Sequence, residues 1–270
     1  MLVDYHTHTS FSADSDAAMA DQCRAAIHRG LRQIAFTEHE DHNPKDMTSF
    51  FFEHSNYMRE LARCRKQFEG QLVIRAGIEL SEPHRHAHKM GDVLAQYDWD
   101  FVLGSLHWIG EGEINTFDDT FWTYRGDWRQ SLRSYFTEMI DLAEEGNFDI
   151  LSHIDYPARY GAKHYRDDYD IGAYEDSIRE VLKHIVARGK GIEINTNPWR
   201  RGLPDPNPPA KVVRWYREMG GEILTVGSDA HTPKDIGAGI DRALAIAREA
   251  GFSHITTFEK RKPIFVEINS

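Results

Sequence analysis

The segment Asp4-Tyr5-His6-Thr7-His8-Thr9-Ser10-Phe11-Ser12-Ala13-Asp14 decides how the rest of the chain is read. It begins as a strand, and alternate residues of a strand share a face, so the imidazoles of His6 and His8 point the same way at the strand's C-terminal end. Two imidazoles placed like this can clamp one ion of the zinc, iron or manganese kind. They then need carboxylates from elsewhere in the fold to complete the shell and offset its charge. A His-x-His pair is by itself equally a feature of ordinary surface strands. Recurrence of similar residues at later strand ends separates the two cases.

The chain supplies that recurrence. Asp16 is expected to cap a helix carrying Met19, Cys23, Ala26 and Ile27, with Gly30 ending it. Residues 34–37 read as an apolar strand covered on both faces, running into Glu38, His39 and, three residues on, His42. A helix marked by Tyr57, Leu61, Cys64 and Phe68 follows. Strands at 72–78 and 101–106 end on Glu79 and His107. Beyond a helix through Leu132, Phe136, Met139 and Ala143, a strand at 148–152 delivers His153, with Arg159 shortly after. A helix through Ile178, Val181, Leu182 and Ile185 leads to a strand at 191–195 ending on Asn195. The loop 197–202 that follows holds Arg200 and is too rich in breakers to continue either element. A helix through Val212, Trp215, Tyr216 and Met219 precedes the strand 222–228, which delivers Asp229 and His231. A last helix runs through Ile240, Leu244 and Ala247, and residues 255–268 form a further strand or pack across one end.

Strands alternating with helices predict parallel β/α units joined by right-handed crossovers. Seven such strands, nearly all ending on a potential ligand, point to an α/β fold in which every strand end converges on one axis: a distorted TIM-like (β/α)7 barrel, with residues 1–270 as one domain. A convergent pocket of metal ions and few carboxylates attracts an anion, and a phosphate monoester suits it. Arg159 and Arg200 carry guanidinium forks that match phosphate oxygens.

The set His6-x-His8, Thr37-Glu38-His39, Gly77-Ile78-Glu79, Gly104-Ser105-Leu106-His107, Ser152-His153 and Asp229-x-His231 resembles the polymerase and histidinol phosphatase family from end to end. Within it, Ser152-His153-Ile154-Asp155-Tyr156-Pro157 with Arg159, and Glu193-Ile194-Asn195-Thr196 with Arg200, are similar to the histidinol-phosphate phosphatase branch. The resemblance implies a trinuclear centre of divalent ions, zinc, iron or manganese. One ion would take His6, His8, Glu79 and Asp229; a second would share Glu79 and add His107 and His153; the third would use Asp14, His39 and His231. Some members of the family have histidine in place of Asp14. Asp14, Glu79 and Asp229 leave such a centre net positive.

The implied reaction is hydrolysis of L-histidinol phosphate, in histidine biosynthesis, by hydroxide bridging two ions. Glu79 and Asp229 hold the ions, while Arg159 and Arg200 hold the phosphoryl oxygens. His42 is a candidate phosphate contact or proton donor. Ser81, Glu82 and Glu113 are candidate substrate contacts. The acidic and aromatic stretch after His107, with Glu111, Glu113, Asp118, Asp119, Trp108, Phe117, Phe121 and Trp122, is expected to read the amine end. The histidines 84, 86 and 88 are expected to be solvated in a loop.

Composition narrows the alternatives. The formal charge of −11 disfavours a nucleic-acid partner, and no run of apolar residues is long enough to cross a membrane. Only Cys23 and Cys64 are present and no signal peptide is visible, so a cytoplasmic location is expected. The competing readings are a phosphodiesterase or exonuclease on the same scaffold and a non-catalytic metal-binding module.

Overall fold

Strands β1 (Val3–Asp4), β2 (Gln33–Glu40), β3 (Val73–Ser81), β4 (Phe101–Ser105), β5 (Ile150–Leu151), β6 (Gly191–Asn195) and β7 (Leu224–Gly227) lie side by side in that order, all parallel. The computed structural model describes residues 1–110, 112–114, 119–123, 126–166 and 168–268. Between and after the strands run helices α1 (Met19–His28), α2 (His54–Gln67), α3 (Ala87–Gln96), α4 (Trp128–Glu145), α5 (Glu175–Ala187), α6 (Ala210–Glu218) and α7 (Ile240–Glu249). Each strand is thus followed by one long helix, the repeat of a (β/α)7 barrel.

Burial on both faces explains the apolar strands. Ile34, Ala35 and Phe36 of β2 and Phe101, Val102 and Leu103 of β4 are wholly inaccessible. The ring closes where the chain leaves β1. Tyr5 N–H donates to the Val226 carbonyl at 3.0 Å, and His8 N–H donates to the Ala230 carbonyl at 2.9 Å, while Thr37 N–H from β2 reaches the Thr7 carbonyl at 2.8 Å. Residues 5–8 therefore sit between β2 and β7, and their side chains are carried to the C-terminal mouth. Gly104 in β4 is required by close packing, because a Cβ there would collide with the Phe148 ring.

Residues 254–267 pack across one end, in the form of an antiparallel hairpin, β8 (His254–Glu259) with β9 (Lys262–Glu267). It covers the opposite end of the barrel from the mouth. Tyr5 Oη accepts the Phe258 N–H at 2.9 Å, Phe258 packs on Phe101 at 5.1 Å, and Asp100, just before β4, accepts the Lys260 N–H at 3.1 Å.

Three local expectations are corrected. Asp16 does not cap α1: the helix starts at Met19 after Ala18, with no side-chain cap, although Gly30 does end it in a left-handed conformation. Residues 197–200 form one helical turn rather than loop. The histidine-rich stretch leads into α3, and His84 is buried against Glu138, Nε2 to Oε1 2.7 Å, on α4; of the three histidines, His88 is the one strongly exposed. No helix among the described residues is long and apolar enough to cross a membrane.

Phe258, 2% exposed, is the anchor of the basal hairpin. Phe258→Ala should cost about 3–5 kcal/mol of stability, read as a lower denaturant midpoint at constant slope; an unmoved midpoint would show that the hairpin is peripheral to the core.

Candidate active site

Parallel strands send all their C-terminal ends to one face, and a single carboxylate, Glu79 near the end of β3, stands at the middle of what gathers there. Its Oε2 is 3.1 Å from His6 Nε2, 3.1 Å from His39 Nδ1 and 3.5 Å from His8 Nε2. Its Oε1 is 2.9 Å from His153 Nε2 and 3.6 Å from His107 Nε2. Asp229 Oδ1 completes the first group, 3.8 Å from His6 Nε2 and 3.6 Å from His8 Nε2. Asp14 Oδ2 meets His231 Nε2 at 2.9 Å and His39 Nε2 at 3.6 Å, forming a third group. The nine candidate donors lie at one mouth; the His6, His8, Glu79 and the Glu79, His107, His153 clusters match sets the resemblance implies, while His39 and His231 cluster with His8 as well as meeting Asp14.

The donor set fits a divalent cation. Four donors at bond lengths of about 2.0–2.1 Å from one zinc ion stand about 3.4 Å apart, and the first group's spacings of 3.1–3.8 Å bracket that value. His8 Nε2 and His39 Nδ1 are buried and make no hydrogen bond, although both face Glu79. Buried polar atoms are rarely left this way unless something else engages them.

Outer partners fix the orientation of the rings. His6 Nδ1 is 2.8 Å from Glu193 Oε1, His8 Nδ1 is 3.1 Å from Ser12 Oγ, His107 Nδ1 is 2.9 Å from Ser81 Oγ, and His231 Nδ1 is 3.1 Å from the Asp229 carbonyl. Each contact occupies Nδ1 and turns Nε2 toward the centre, the usual arrangement behind metal-bound imidazoles. Ser12 in turn donates to Glu38 at 2.6 Å, and Glu38 also accepts the Thr9 N–H and hydroxyl, so one buried carboxylate shapes the loop that presents His8.

Charge is distributed accordingly. Burial alone would raise the Glu79 carboxyl, but His6 and His39 outweigh it and hold Glu79 well below the ordinary range. Arg159 and His6 do this for buried Asp229, and His39 and His231 hold the more exposed Asp14 carboxyl below its ordinary value. His107, pushed down to about 3 mainly by burial, and His8 and His153, lowered by the same cause, keep free lone pairs. His6, His39 and His231 are instead raised by the carboxylates beside them, and a ligand imidazole must be neutral, so a cation binding there would displace their protons.

Two adjoining chambers open above Glu79. The inner one is lined by seven of the donors, all but His6 and His8, together with Tyr156, Arg159, Tyr160, Asn197 and Arg201. Arg159 is held by Nη1 on Asp229 Oδ2 at 2.6 Å and by Nε on Asn207 Oδ1 at 2.5 Å, leaving Nη2 buried with no partner. The outer chamber adds Asp41, Asp46, Thr48, Phe51 and Glu113.

Several expected contacts lie elsewhere. Arg200 is off the chamber wall: its Nη2 donates to the Asp229 carbonyl at 3.0 Å, supporting a residue whose φ of 55° is in the left-handed region. Its neighbour Arg201 lines both chambers instead, because successive residues of a helical turn point about 100° apart. His42 faces Glu40, Nε2 to Oε1 2.7 Å, and is on neither wall. Ser81 is spent on His107 and Asp41, and buried Glu82 accepts the His107 and Trp108 N–H groups. Of the stretch after His107, Glu113 reaches the outer chamber. Asp119 pairs with Lys163 and His164, while Phe121 and Trp122 are core. Trp108 is buried with Nε1 on Asp46 Oδ2 at 3.2 Å, and Glu111, Phe117 and Asp118 lie outside the described residues. The sequence motifs include Glu193 and Glu38 without giving either a role, although acidic residues inside otherwise apolar strands are a signal; Arg201 and Tyr160 carried none.

Comparison with known proteins gives a consistent result. A histidinol-phosphatase of Lactococcus lactis is 29% identical over 265 residues, covering 96% of this chain and 95% of its own. A Clostridium acetobutylicum protein described as "Probable histidinol-phosphatase" is 31% identical over 262 residues, covering 97% and 98%. The crystal structure of histidinol phosphate phosphatase from Lactococcus lactis, complexed with zinc, L-histidinol and phosphate, superposes with a TM-score of 0.88 at 27% identity over 97% of this chain and 98% of that one. The PHP domain model matches residues 4–197, which carry seven of the nine donors, and the chain therefore belongs to the PHP domain family.

Proposed function

We propose that the protein is a metal-dependent phosphomonoesterase that hydrolyses L-histidinol phosphate to L-histidinol and phosphate, a histidinol-phosphate phosphatase of histidine biosynthesis acting in the cytoplasm. The observation that carries this is the meeting, in one chamber, of three donor groups around Glu79 with a buried guanidinium nitrogen, Arg159 Nη2, that has no partner. Similarity along nearly the whole chain to a histidinol-phosphatase, and to the enzyme solved with zinc, L-histidinol and phosphate, supports the choice of substrate. The two free buried thiols, Cys23 and Cys64, agree with a reducing compartment.

Three divalent ions are the proposed complement, zinc before iron or manganese because imidazole and carboxylate donors at these spacings suit it. Bound there, they supply Lewis-acid charge stabilisation and a water of lowered pKa. The protein's own groups do the rest. Arg159, anchored at Nε and Nη1, offers Nη2 to a phosphoryl oxygen from a fixed place, so little freedom is lost when substrate arrives. Arg201, held by Nε on Asn197 Oδ1 at 2.8 Å, brings a second cation to the same chamber. Asp41, Asp46 and Glu113, with the Phe51 ring, give the outer chamber an acidic and aromatic character suited to the amine and imidazole of the alcohol. Residues 1–270 act as one catalytic domain in this proposal, supported by a donor set running from His6 to His231.

Steady-state kinetics on L-histidinol phosphate, other phosphomonoesters and nucleotide diesters tests the reaction. L-histidinol phosphate should give the highest kcat/KM, and a dominant diester activity would replace this proposal with the phosphodiesterase one. Chelation should abolish turnover and lower the Tm, with both restored by zinc, since a cation held by the folded state alone stabilises it; an unchanged Tm would count against the assigned centre. Glu193→Gln loosens the hold on the His6 Nδ1–H and should weaken zinc affinity or activity by about 10–100-fold, as expected for outer partners of a ligand. Zinc titration of the chelated variant reads this directly, and wild-type affinity would remove Glu193 from the centre.

A further inference from the structure

An aliphatic alcohol leaves phosphorus slowly unless it receives a proton as the bond breaks, so hydrolysis of an alkyl phosphate calls for an acid beside the leaving oxygen. The inner wall offers few. Asp14, His39, Glu79, His107, His153, Asp229 and His231 belong to the donor set, and the guanidinium groups of Arg159 and Arg201 hold their protons too tightly. The Asn197 amide is no acid. Among the described lining residues of this chamber, that leaves Tyr156 and Tyr160.

The two phenols form a pair, their hydroxyl oxygens 3.2 Å apart. Tyr156 is packed over the second donor group, its ring 4.7 Å from His153 and 5.0 Å from His107. Both phenols stand where the chambers meet and line both, the Tyr160 ring 5.1 Å from that of Tyr156. That junction is where a phosphoryl group seated inside would give way to an alcohol lying outside. Tyr160 also has what a phenolate needs: the Arg201 guanidinium lies 4.9 Å over its ring with Nη2 3.5 Å from Oη, and the Tyr156 hydroxyl is in reach to donate.

We propose that Tyr160 is the general acid of the reaction, giving its hydroxyl proton to the departing alcohol oxygen while Tyr156 and Arg201 stabilise the phenolate. The inference rests on the phosphomonoesterase function above. In the step, a water oxygen bonds to phosphorus and the ester P–O bond breaks, its electron pair leaving on the alcohol oxygen. Tyr160 protonates that oxygen, and the proton shed by the attacking water restores the phenol through solvent. A phenol, with an ordinary pKa of about 10, is a far stronger acid than an aliphatic alcohol, so the transfer runs downhill.

The test compares leaving groups. Tyr160→Phe should lower kcat/KM for L-histidinol phosphate by about 100-fold or more. The loss on p-nitrophenyl phosphate, whose leaving group needs no proton, should be at least about tenfold smaller. Fluorotyrosine placed at 160, which keeps the shape and makes the phenol more acidic, should shift the alkaline limb of the histidinol phosphate rate to lower pH. Equal losses on both esters, or an alkaline limb that does not move, would make Tyr160 a structural residue and overturn the assignment. A wild-type protein inactive on both esters would instead overturn the phosphatase function beneath it.

Discussion

Everything at the mouth of this barrel is arranged around the two oxygens of Glu79. One oxygen faces His6, His8 and His39, the other faces His107 and His153, and the carboxylate is wholly buried. A carboxylate without partners in such a place would be protonated, since burial penalises its charged form. It stays ionised because imidazoles crowd it, and those imidazoles tolerate one another's company because it is ionised. Remove the carboxylate, and five nitrogen donors would lose the group they share, leaving Asp229 and Asp14 at the edges as the acidic partners of His6, His8 and His39.

The protein's own contacts orient much of the centre. Glu193 and Ser81 set the tilt of His6 and His107, and Glu38 does the same for His8 through Ser12. Asp4 accepts the N–H groups of Ser228 and Gly237, tying the exit of β7 to β1. Arg200 and His231 hold the carbonyl of Asp229 in its left-handed turn. Such preorganisation keeps ligand atoms within a few tenths of an ångström of where an ion wants them, which is what separates a metal site from a mere cluster of histidines.

The sequence exposed the barrel and its donors because both follow from periodicity. Parallel strands buried on both faces read as apolar runs, and whatever polar residue ends each run is delivered to one shared face, as with Glu79, His153 and Asp229. What stayed hidden depends on direction within short irregular segments. Arg200 and Arg201 are neighbours in the chain, yet one backs Asp229 and the other lines the chambers, and no spacing rule distinguishes them before the turn at 197–200 is known. His42 looked available three residues past His39, but Glu40 claims it. Ser81 and Glu82 lie beside the site, but their hydrogen bonds go to His107 and the Trp108 backbone, on another strand's exit that their own spacing does not reveal.

The seam between residues 5–8 and the last barrel strand carries a consequence for biogenesis. Tyr5 bonds to Val226 and Phe258, and His8 to Ala230, so residues 5–8 wait for segments synthesised much later to find their partners. The donors span His6 to His231 in the same way. A nascent chain therefore cannot assemble the centre piecemeal: the donors of the first strand wait for the segment that carries Asp229 and His231.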